Sequence, residues 1–200
     1  RGKRSVVIDV HTAEGKAQVE YQNGNANISA EVRDLPVPGS LGPYTTYVLW
    51  AVTPDGRATS QGVIGGFEGG KGELDTQYGA SQFALIVTAE PHFAVTIPST
   101  MIVLYNVGDD VKGAESKVTT LTERVDYASP TGARLPPVAV DKNNPIEIVQ
   151  ARYAIAIARA AGAERFGSDA YQMASSKLTA AEAALVAKKN SERKTAPGLA

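Results

Sequence analysis

Cysteine is absent from this sequence, and histidine occurs only twice, at His11 and His92. The lack of cysteine excludes disulfides, thiol catalysis and thiolate metal sites within these residues. No apolar run reaches the roughly eighteen residues that a membrane-spanning helix requires. The chain starts at Arg1 without a charged-then-apolar leader. We therefore expect a leader, and an anchor such as that of a lipoprotein, upstream of this segment.

The chain also lacks an excess of charge of either sign, since 20 Lys/Arg nearly balance 21 Asp/Glu and the formal net charge is -1. Residues 145–200 carry eight Lys/Arg against five Asp/Glu, which leaves twelve against sixteen for residues 1–144. Imbalances of this size are too small for a nucleic-acid-binding surface. The apolar content of 43% is typical of a globular protein with a real core.

The only tryptophan, Trp50, lies in an apolar run from Tyr47 to Pro54 that ends in a Pro-Asp-Gly turn. A run of β-branched and aromatic residues without a polar break is typical of a strand covered on both faces. We expect this run to be the central strand of a β domain, with Trp50 at the heart of its core.

Seven further strand patterns surround that run. Turn signals separate them, at Glu14-Gly15, at Asn23-Gly24-Asn25 and in the glycine cluster 65–72. Because no helical pattern intervenes, the set predicts an antiparallel, Ig-like β-sandwich over residues 1–128. The seven patterns span residues 5–12, 16–21, 26–35, 59–67, 73–78, 82–90 and 101–107.

The prolines after residue 128 favour an extended connector over residues 129–144, lying on one surface of the sandwich. An additional strand over 117–127 remains an alternative. Asn144, Pro145 and Glu147 then have the order of an N-cap, a first helical residue and an acidic first turn.

Residues 145–200 predict an antiparallel α-helical hairpin, because two apolar stripes at spacings of three and four flank Gly162 and Gly167. The fold class is therefore mainly β with an α appendage. The stripes are Ile146, Val149, Tyr153, Ala156, Ala160 and Ala163, followed by Tyr171, Ala174, Leu178, Ala181 and Leu185.

Two stretches resemble known families. Residues 46–98, with Tyr47–Val52, Gly62–Ile64 and Phe83–Pro91, resemble the extracytoplasmic β-sandwich of anti-sigma-K factors. Residues 150–187 resemble an uncharacterised alanine-rich helical family of bacterial envelope proteins that often precedes an OmpA-like domain. Both resemblances imply a location in the periplasm or outer cell envelope, and neither supplies catalytic residues. Because no OmpA-like domain has begun by residue 200, peptidoglycan binding through such a domain is implied only for a neighbouring segment.

The stretch Gly65–Lys71 matches the first seven positions of a phosphate-binding loop. Gly72, however, replaces the magnesium-binding hydroxyl, and a strand pattern rather than a helix follows. We interpret this stretch as a flexible turn and expect no cofactor.

Metal binding and catalysis have little support. His11 could join Asp9, and His92 could join Glu90, but alternate residues of one strand share a face too often for that spacing to be informative. No Gly-x-Ser-x-Gly nucleophile motif occurs. We expect no metal site and no catalytic residue. Two Asp/Asn-rich stretches are interpreted as turns rather than calcium loops: Asn23–Asn27 and Asp109–Asp110.

Arg152 and Arg159 lie seven residues apart on one helical face and form the candidate partner-binding surface. They either grip an acidic partner or are solvated, with their stems covering apolar surface. The expected function is a non-enzymatic cell-envelope interaction or spacer module that binds a protein or a cell-wall component. A carbohydrate-binding module would need a row of exposed aromatic residues, and a regulatory sensor would need a membrane helix upstream.

Overall fold

The computed structural model describes residues 3–7, 13–105, 121–129 and 133–195, with the side chains of 13–105, 121–129 and 133–191. The chain divides into two compact units, residues 1–137 and residues 138–200. Each unit is described separately below.

The first unit is a β-sandwich of two four-stranded antiparallel sheets. This result confirms the predicted fold class, and each of the eight predicted strand patterns overlaps an observed strand, the first of them only at residues 5–7. The first sheet has the order β1-β2-β3-β6 and the second the order β5-β4-β7-β8. The strands are β1 (Lys3–Val7), β2 (Glu14–Gln22), β3 (Asn25–Leu35), β4 (Thr46–Val52), β5 (Ala58–Gly65), β6 (Gly70–Tyr78), β7 (Ala84–Glu90) and β8 (Ile102–Tyr105).

The first two predicted turns have different outcomes. The prediction of a turn at Glu14-Gly15 is wrong, because Glu14 is the first residue of β2 and pairs with Arg33 of β3. Residues 8–12, the rest of the predicted first strand, lie outside the described residues. The turn at Asn23-Gly24 is confirmed, with φ values of 52° and 84°. Two successive positive φ angles are typical of the tight turn that joins twisted antiparallel strands.

The core between the sheets is built from alternate residues of facing strands. Ala30 and Val32 of β3 share a small cavity with Leu49 of β4 and Val87 of β7. This cavity has a volume of about 30 Å³ and a largely apolar lining. A void of this size holds one water molecule at most, so it is a packing defect rather than a ligand site.

The strand β4 is buried along its whole length, as predicted, and Trp50 is fully buried. Trp50 therefore belongs to the buried core, as predicted, but the sequence did not indicate which face of β4 carries it. Because successive side chains of a strand point to opposite faces, and Leu49 faces the first sheet, Trp50 lies on the outer face of the second sheet. Its cross-strand neighbour on that face is Ile86 of β7.

The segment after residue 120 contributes to the sandwich as extended chain. Val125 forms an isolated parallel bridge with Ser99, and the amide of Leu135 donates to the carbonyl of Tyr127 at 2.8 Å. The side chains of Leu121, Tyr127 and Leu135 are buried. Within the described part of 117–127, this bridge is the only strand-like pairing, as expected of a connector rather than of an additional strand.

The edge strands β5 and β6 cross so closely that a glycine is required between them. A Cβ atom on Gly72 would lie 1.4 Å from the carbonyl oxygen of Ile64. In the turn before β6, a Cβ on Gly69 would lie 2.5 Å from the carbonyl oxygen of Pro36. The glycine cluster therefore permits close approach of backbones, which a larger residue would prevent.

The second unit contains α1 (Ile146–Ala160), the single turn α2 (Ala163–Phe166) and α3 (Ser168–Thr195). The predicted N-cap is wrong by one residue, because Pro145 occupies that position and its carbonyl accepts the amides of Ile148 and Val149. The Asn144 side chain instead accepts a hydrogen bond from Arg152 at 3.2 Å. The acidic first turn at Glu147 is confirmed.

The helices α1 and α3 form the predicted antiparallel hairpin. Arg152 of α1 contacts Glu182 of α3, whereas Arg159, in the last turn of α1, contacts Tyr171 near the start of α3. The predicted stripe on α3 is only partly correct, because Ala174 and Ala181 are exposed. The less exposed side chains of α3 recur at spacings of four and three: Tyr171, Ser175, Leu178, Glu182, Leu185 and Lys189.

Within the described residues, no helix combines the length and apolar character needed to cross a bilayer.

Substitution of Gly72 by alanine should strongly destabilise the sandwich. The added Cβ would overlap the Ile64 carbonyl, so one edge strand would have to move. We expect a loss of at least about 3 kcal/mol in the free energy of unfolding, measured by thermal and urea denaturation. Gly66→Ala is the matched control, since a Cβ there meets no atom within 4 Å, and it should change stability by less than about 0.5 kcal/mol. Equal stability of the two variants would contradict the close crossing.

Candidate functional site

The two arginines predicted as a partner-binding surface both have acidic neighbours within the helical unit. The Arg152 Nε atom lies 2.6 Å from Glu182 Oε1, and both side chains are more than a third exposed. The Arg159 Nε atom lies 3.1 Å from Glu164 Oε1 and donates to the Tyr171 hydroxyl at 2.9 Å. Hydrogen bonding to Tyr171 and the charge of Glu164 raise the pKa of Arg159. Any acidic partner must therefore compete with these internal contacts.

The structure does not bring the candidate metal ligands together. Glu90 is buried, whereas His92 lies beyond the end of β7 and accepts the Ala94 amide at Nδ1 at 3.0 Å. Burial lowers the pKa of His92. In the described parts of the chain, no three His, Asp or Glu side chains form a metal-binding group. His11, Asp9 and Asp109–Asp110 lie outside the described residues.

The glycine-rich stretch is a turn, as predicted. The Gly69 amide donates to the Gly66 carbonyl at 3.2 Å, and β6 begins at Gly70. The exposed aromatic residues do not follow one strand, as a carbohydrate-binding row would. Four of them lie on four different strands or loops: Tyr21, Phe67, Phe93 and Tyr105.

A polar groove at one end of the sandwich is the best candidate for a binding site. It has a volume of about 520 Å³, within the range of small-molecule pockets. The groove is lined by the β4–β5 hairpin of the second sheet and by Tyr78, the last residue of β6 in the first sheet. Two further segments, 96–98 and 122–123, complete the lining. The lining residues are Thr53, Gly56–Thr59, Tyr78, Thr96–Pro98, Thr122 and Glu123.

Several polar groups of this groove are available to a ligand. The side chains of Thr59, Thr96 and Glu123 are exposed and have no hydrogen-bond partner among the described residues. Arg57 is 80% exposed and pairs with Asp55 through Nε, which leaves its terminal nitrogens as donors. Tyr78 is half-buried, and its ring packs edge-on against Phe83 at 5.2 Å between centroids. The groove thus offers hydroxyls, both charge signs and one fixed aromatic ring.

The rims of the groove are tied to one another by backbone hydrogen bonds. The Thr122 amide donates to the Gly56 carbonyl at 3.0 Å and joins one rim to the β4–β5 hairpin. The Val125 amide donates to the Pro98 carbonyl at 3.0 Å, and the Thr100 amide donates to the Val125 carbonyl at 3.0 Å. Recognition surfaces gain affinity when they are held in place before a ligand arrives.

A second depression of similar volume lies on the outer face of the first sheet, but more of its polar side chains form hydrogen bonds with one another. Its Ser29 hydroxyl donates to Asp75 at 2.5 Å, and its Gln18 amide donates to Glu20 at 3.3 Å. It contains no aromatic side chain and no cation. We therefore place the candidate site in the groove.

A buried carboxyl group that contacts Ser99, the residue after the groove-lining segment 96–98, was not recognised from the sequence. Glu90, at the end of β7, is fully buried, and its Oε1 atom accepts hydrogen bonds from the Thr88 hydroxyl at 2.5 Å and the Ser99 amide at 2.7 Å. The Trp50 indole donates to the same Thr88 hydroxyl at 2.8 Å. The other carboxyl oxygen, Oε2, is buried without a hydrogen-bond partner among the described residues.

Burial raises the pKa of Glu90 to about 7, although its hydrogen bonds from Thr88 and Ser99 lower it. Burial also raises the pKa of Tyr44 and Tyr127, and the charge of Glu90 raises both further. These tyrosines therefore lie within electrostatic reach of the carboxyl group. A carboxyl in such a site is favoured in its neutral form at acidic pH.

The one sequence signal that could have identified this carboxyl group is its position in the alternation of side chains along β7. Glu90 shares a face with Thr88 and Ile86, so a strand that is apolar on both faces ends with a carboxyl directed at that same outer face. The available chemistry of the groove is hydrogen bonding, ion pairing and ring stacking with a polar ligand.

Comparison of the chain with protein-family models, curated proteins and solved structures gives no match.

Replacing Glu90 with glutamine should remove a pH dependence of stability. The folded-state pKa of about 7 exceeds the ordinary value of 4.5, so the folded state binds the extra proton between these values. Stability from this group is full below pH 4.5 and falls as the pH rises toward 7, by roughly 2 to 3 kcal/mol. Glu90→Gln should lack this decline because the amide is neutral throughout.

Urea denaturation at pH 5 and pH 8 measures this difference in the free energy of unfolding. Glu20→Gln, on the exposed face of β2, is the control and should retain the wild-type pH dependence. If Glu90→Gln and the wild type lose the same stability between these pH values, Glu90 does not titrate as described.

Proposed function

We propose that the chain is a non-enzymatic interaction module of the bacterial cell envelope, and that the groove beside Tyr78 is its binding surface. The observation that carries the proposal is a set of polar side chains that line one bounded groove and have no hydrogen-bond partner in the described part of the chain, including Thr59, Thr96 and Glu123. Unpartnered polar groups at a preformed surface can form hydrogen bonds with a ligand at a small ordering cost.

The lining of the groove suits a cell-wall glycan that is held mainly by polar contacts and one aromatic ring, rather than by a row of exposed aromatic rings. A sugar ring has one apolar face, which suits the ring of Tyr78, and many hydroxyls, which suit the threonines. Peptide-bearing wall glycans also carry carboxylates and amines, for which Arg57 and Glu123 are charge partners. A wall-binding sandwich is thus the more specific candidate within the broader interaction role.

The envelope location rests on the resemblance of residues 46–98 and 150–187 to extracytoplasmic families. The helical unit suits a spacer, since the 28 residues of α3 extend about 42 Å at 1.5 Å per residue. The alternative of a regulatory sensor stays a prediction, and the search for a membrane helix upstream of residue 1 is its test.

Purified peptidoglycan sacculi provide the direct test of wall binding. The chain should co-sediment with sacculi, and Arg57→Ala combined with Glu123→Ala should weaken binding at least tenfold, about 1.4 kcal/mol. Both side chains are exposed, so the double variant should fold normally. Mass spectrometry should detect no new muropeptide, because the proposed function involves no covalent chemistry.

A matched control is Lys71→Ala combined with Glu73→Ala, which removes the same two charge signs from exposed positions of β6. This control should bind sacculi like the wild type. Failure of the wild-type chain to co-sediment, or equal binding by the groove and control variants, would contradict the wall-binding role. Turnover of a muropeptide would contradict the non-enzymatic role.

A further inference from the structure

The rims of the groove share one internal support. Pro98 and Thr100 pair with Val125, and the residue between them, Ser99, is fully buried. The Ser99 amide donates to Glu90 Oε1 at 2.7 Å, and its hydroxyl donates to the Ala89 carbonyl at 2.7 Å. Ser99 thus attaches this segment to the end of β7 through both its amide and its hydroxyl, beside the hydrogen bond from the Ala89 amide to the Met101 carbonyl.

The attachment is sensitive to the charge of one carboxyl group. Glu90 has one oxygen that accepts two hydrogen bonds and another oxygen that is buried without a partner. An unpartnered oxygen costs far more when the group is ionised than when it is neutral. Ionisation therefore favours rearrangements that bring water or a donor to Oε2.

No cation in the described parts of the chain compensates such a charge. The titratable groups that act on Glu90 from packed elements are Tyr44, before β4, and Tyr127, with Asp126 acting on Tyr44. Along its own segment the next titratable side chain is His92, which accepts the Ala94 amide. Tyr44 and Tyr127 are neutral phenols, Asp126 is an acid, and the Nδ1 atom of His92 accepts a hydrogen bond, so none of these four groups brings a positive charge to Glu90.

We infer that Glu90 is a proton-controlled positioning residue for the groove, which fixes the segments 96–98 and 121–125 through Ser99 while its carboxyl is neutral. Deprotonation strengthens the hydrogen bonds at Oε1 but leaves a buried charge whose Oε2 has no partner among the described residues. Opening of the segment to water relieves this cost, and both rims loosen. Ligand binding at the groove is consequently favoured at mildly acidic pH. This last consequence rests on the proposed function, whereas the link between Glu90 and the rims does not.

The link can be measured without any ligand, by amide hydrogen exchange followed by NMR at pH 5.5 and pH 8. The probes are the amides of Thr100, Thr122 and Val125, and the reference amides are those of the paired strands β2 and β3. After correction for intrinsic exchange rates, we expect the protection of the probes to fall about tenfold relative to the references as the pH rises. In Glu90→Gln the protection of the probes should stay constant.

Equal changes of probe and reference protection in the wild type would overturn the inference, because they would indicate global rather than local loosening. A decline in Glu90→Gln equal to that in the wild type would also overturn it. Should the variant fail to fold, the wild-type comparison alone decides. Sacculus binding is measured separately, so rims that loosen in a chain that does not bind sacculi would support the positioning role and contradict the wall-binding role.

Discussion

The burial of β4 on both faces is the constraint on which the rest of the β-unit depends. One face, represented by Leu49, packs against the first sheet, and the other carries Trp50. A strand in an antiparallel sheet usually has one solvated face. Here the outer face is also buried, so further chain must cover it beyond the eight strands.

The polar groups on this outer face follow from the same constraint. Indole N–H and carboxyl groups that leave water require partners. Trp50 donates to Thr88, Thr88 donates to Glu90, and Glu90 receives the Ser99 amide. This chain of hydrogen bonds runs from the centre of the second sheet to the segment that borders the groove. The hydrogen bonds that satisfy the buried indole of Trp50 therefore also hold the segment that borders the candidate site.

Much of the fold could be predicted because its signals are local. Alternation and turn residues located all eight strands, and the hairpin turn at Asn23-Gly24 followed from residues that tolerate positive φ. The orientation of β4 could not be predicted, since a strand without polar residues has no face marked for solvent. The stripe of α3 was ambiguous for a related reason: alanines occur on several sides, so Ala174 and Ser175 were equally suited to the seam.

The candidate site could not be assembled from the sequence, because its parts lie far apart in the chain. Its lining comes together only after both sheets form, from Thr53–Thr59, Tyr78, Thr96–Pro98 and Thr122–Glu123. The Pro-Asp-Gly turn and the strand pattern that ends at Tyr78 were predicted individually, and neither of them indicates a groove. Glu90 was weighed only as a metal ligand beside His92, since its burial depends on distant residues such as Ser99.

Because Trp50 is the only tryptophan, its fluorescence tests the covered outer face directly. At pH 5.5 the account predicts emission shifted to shorter wavelength than that of indole in water, and low accessibility to quenching by acrylamide. Emission like that of free indole, with efficient quenching in the folded chain, would contradict the account.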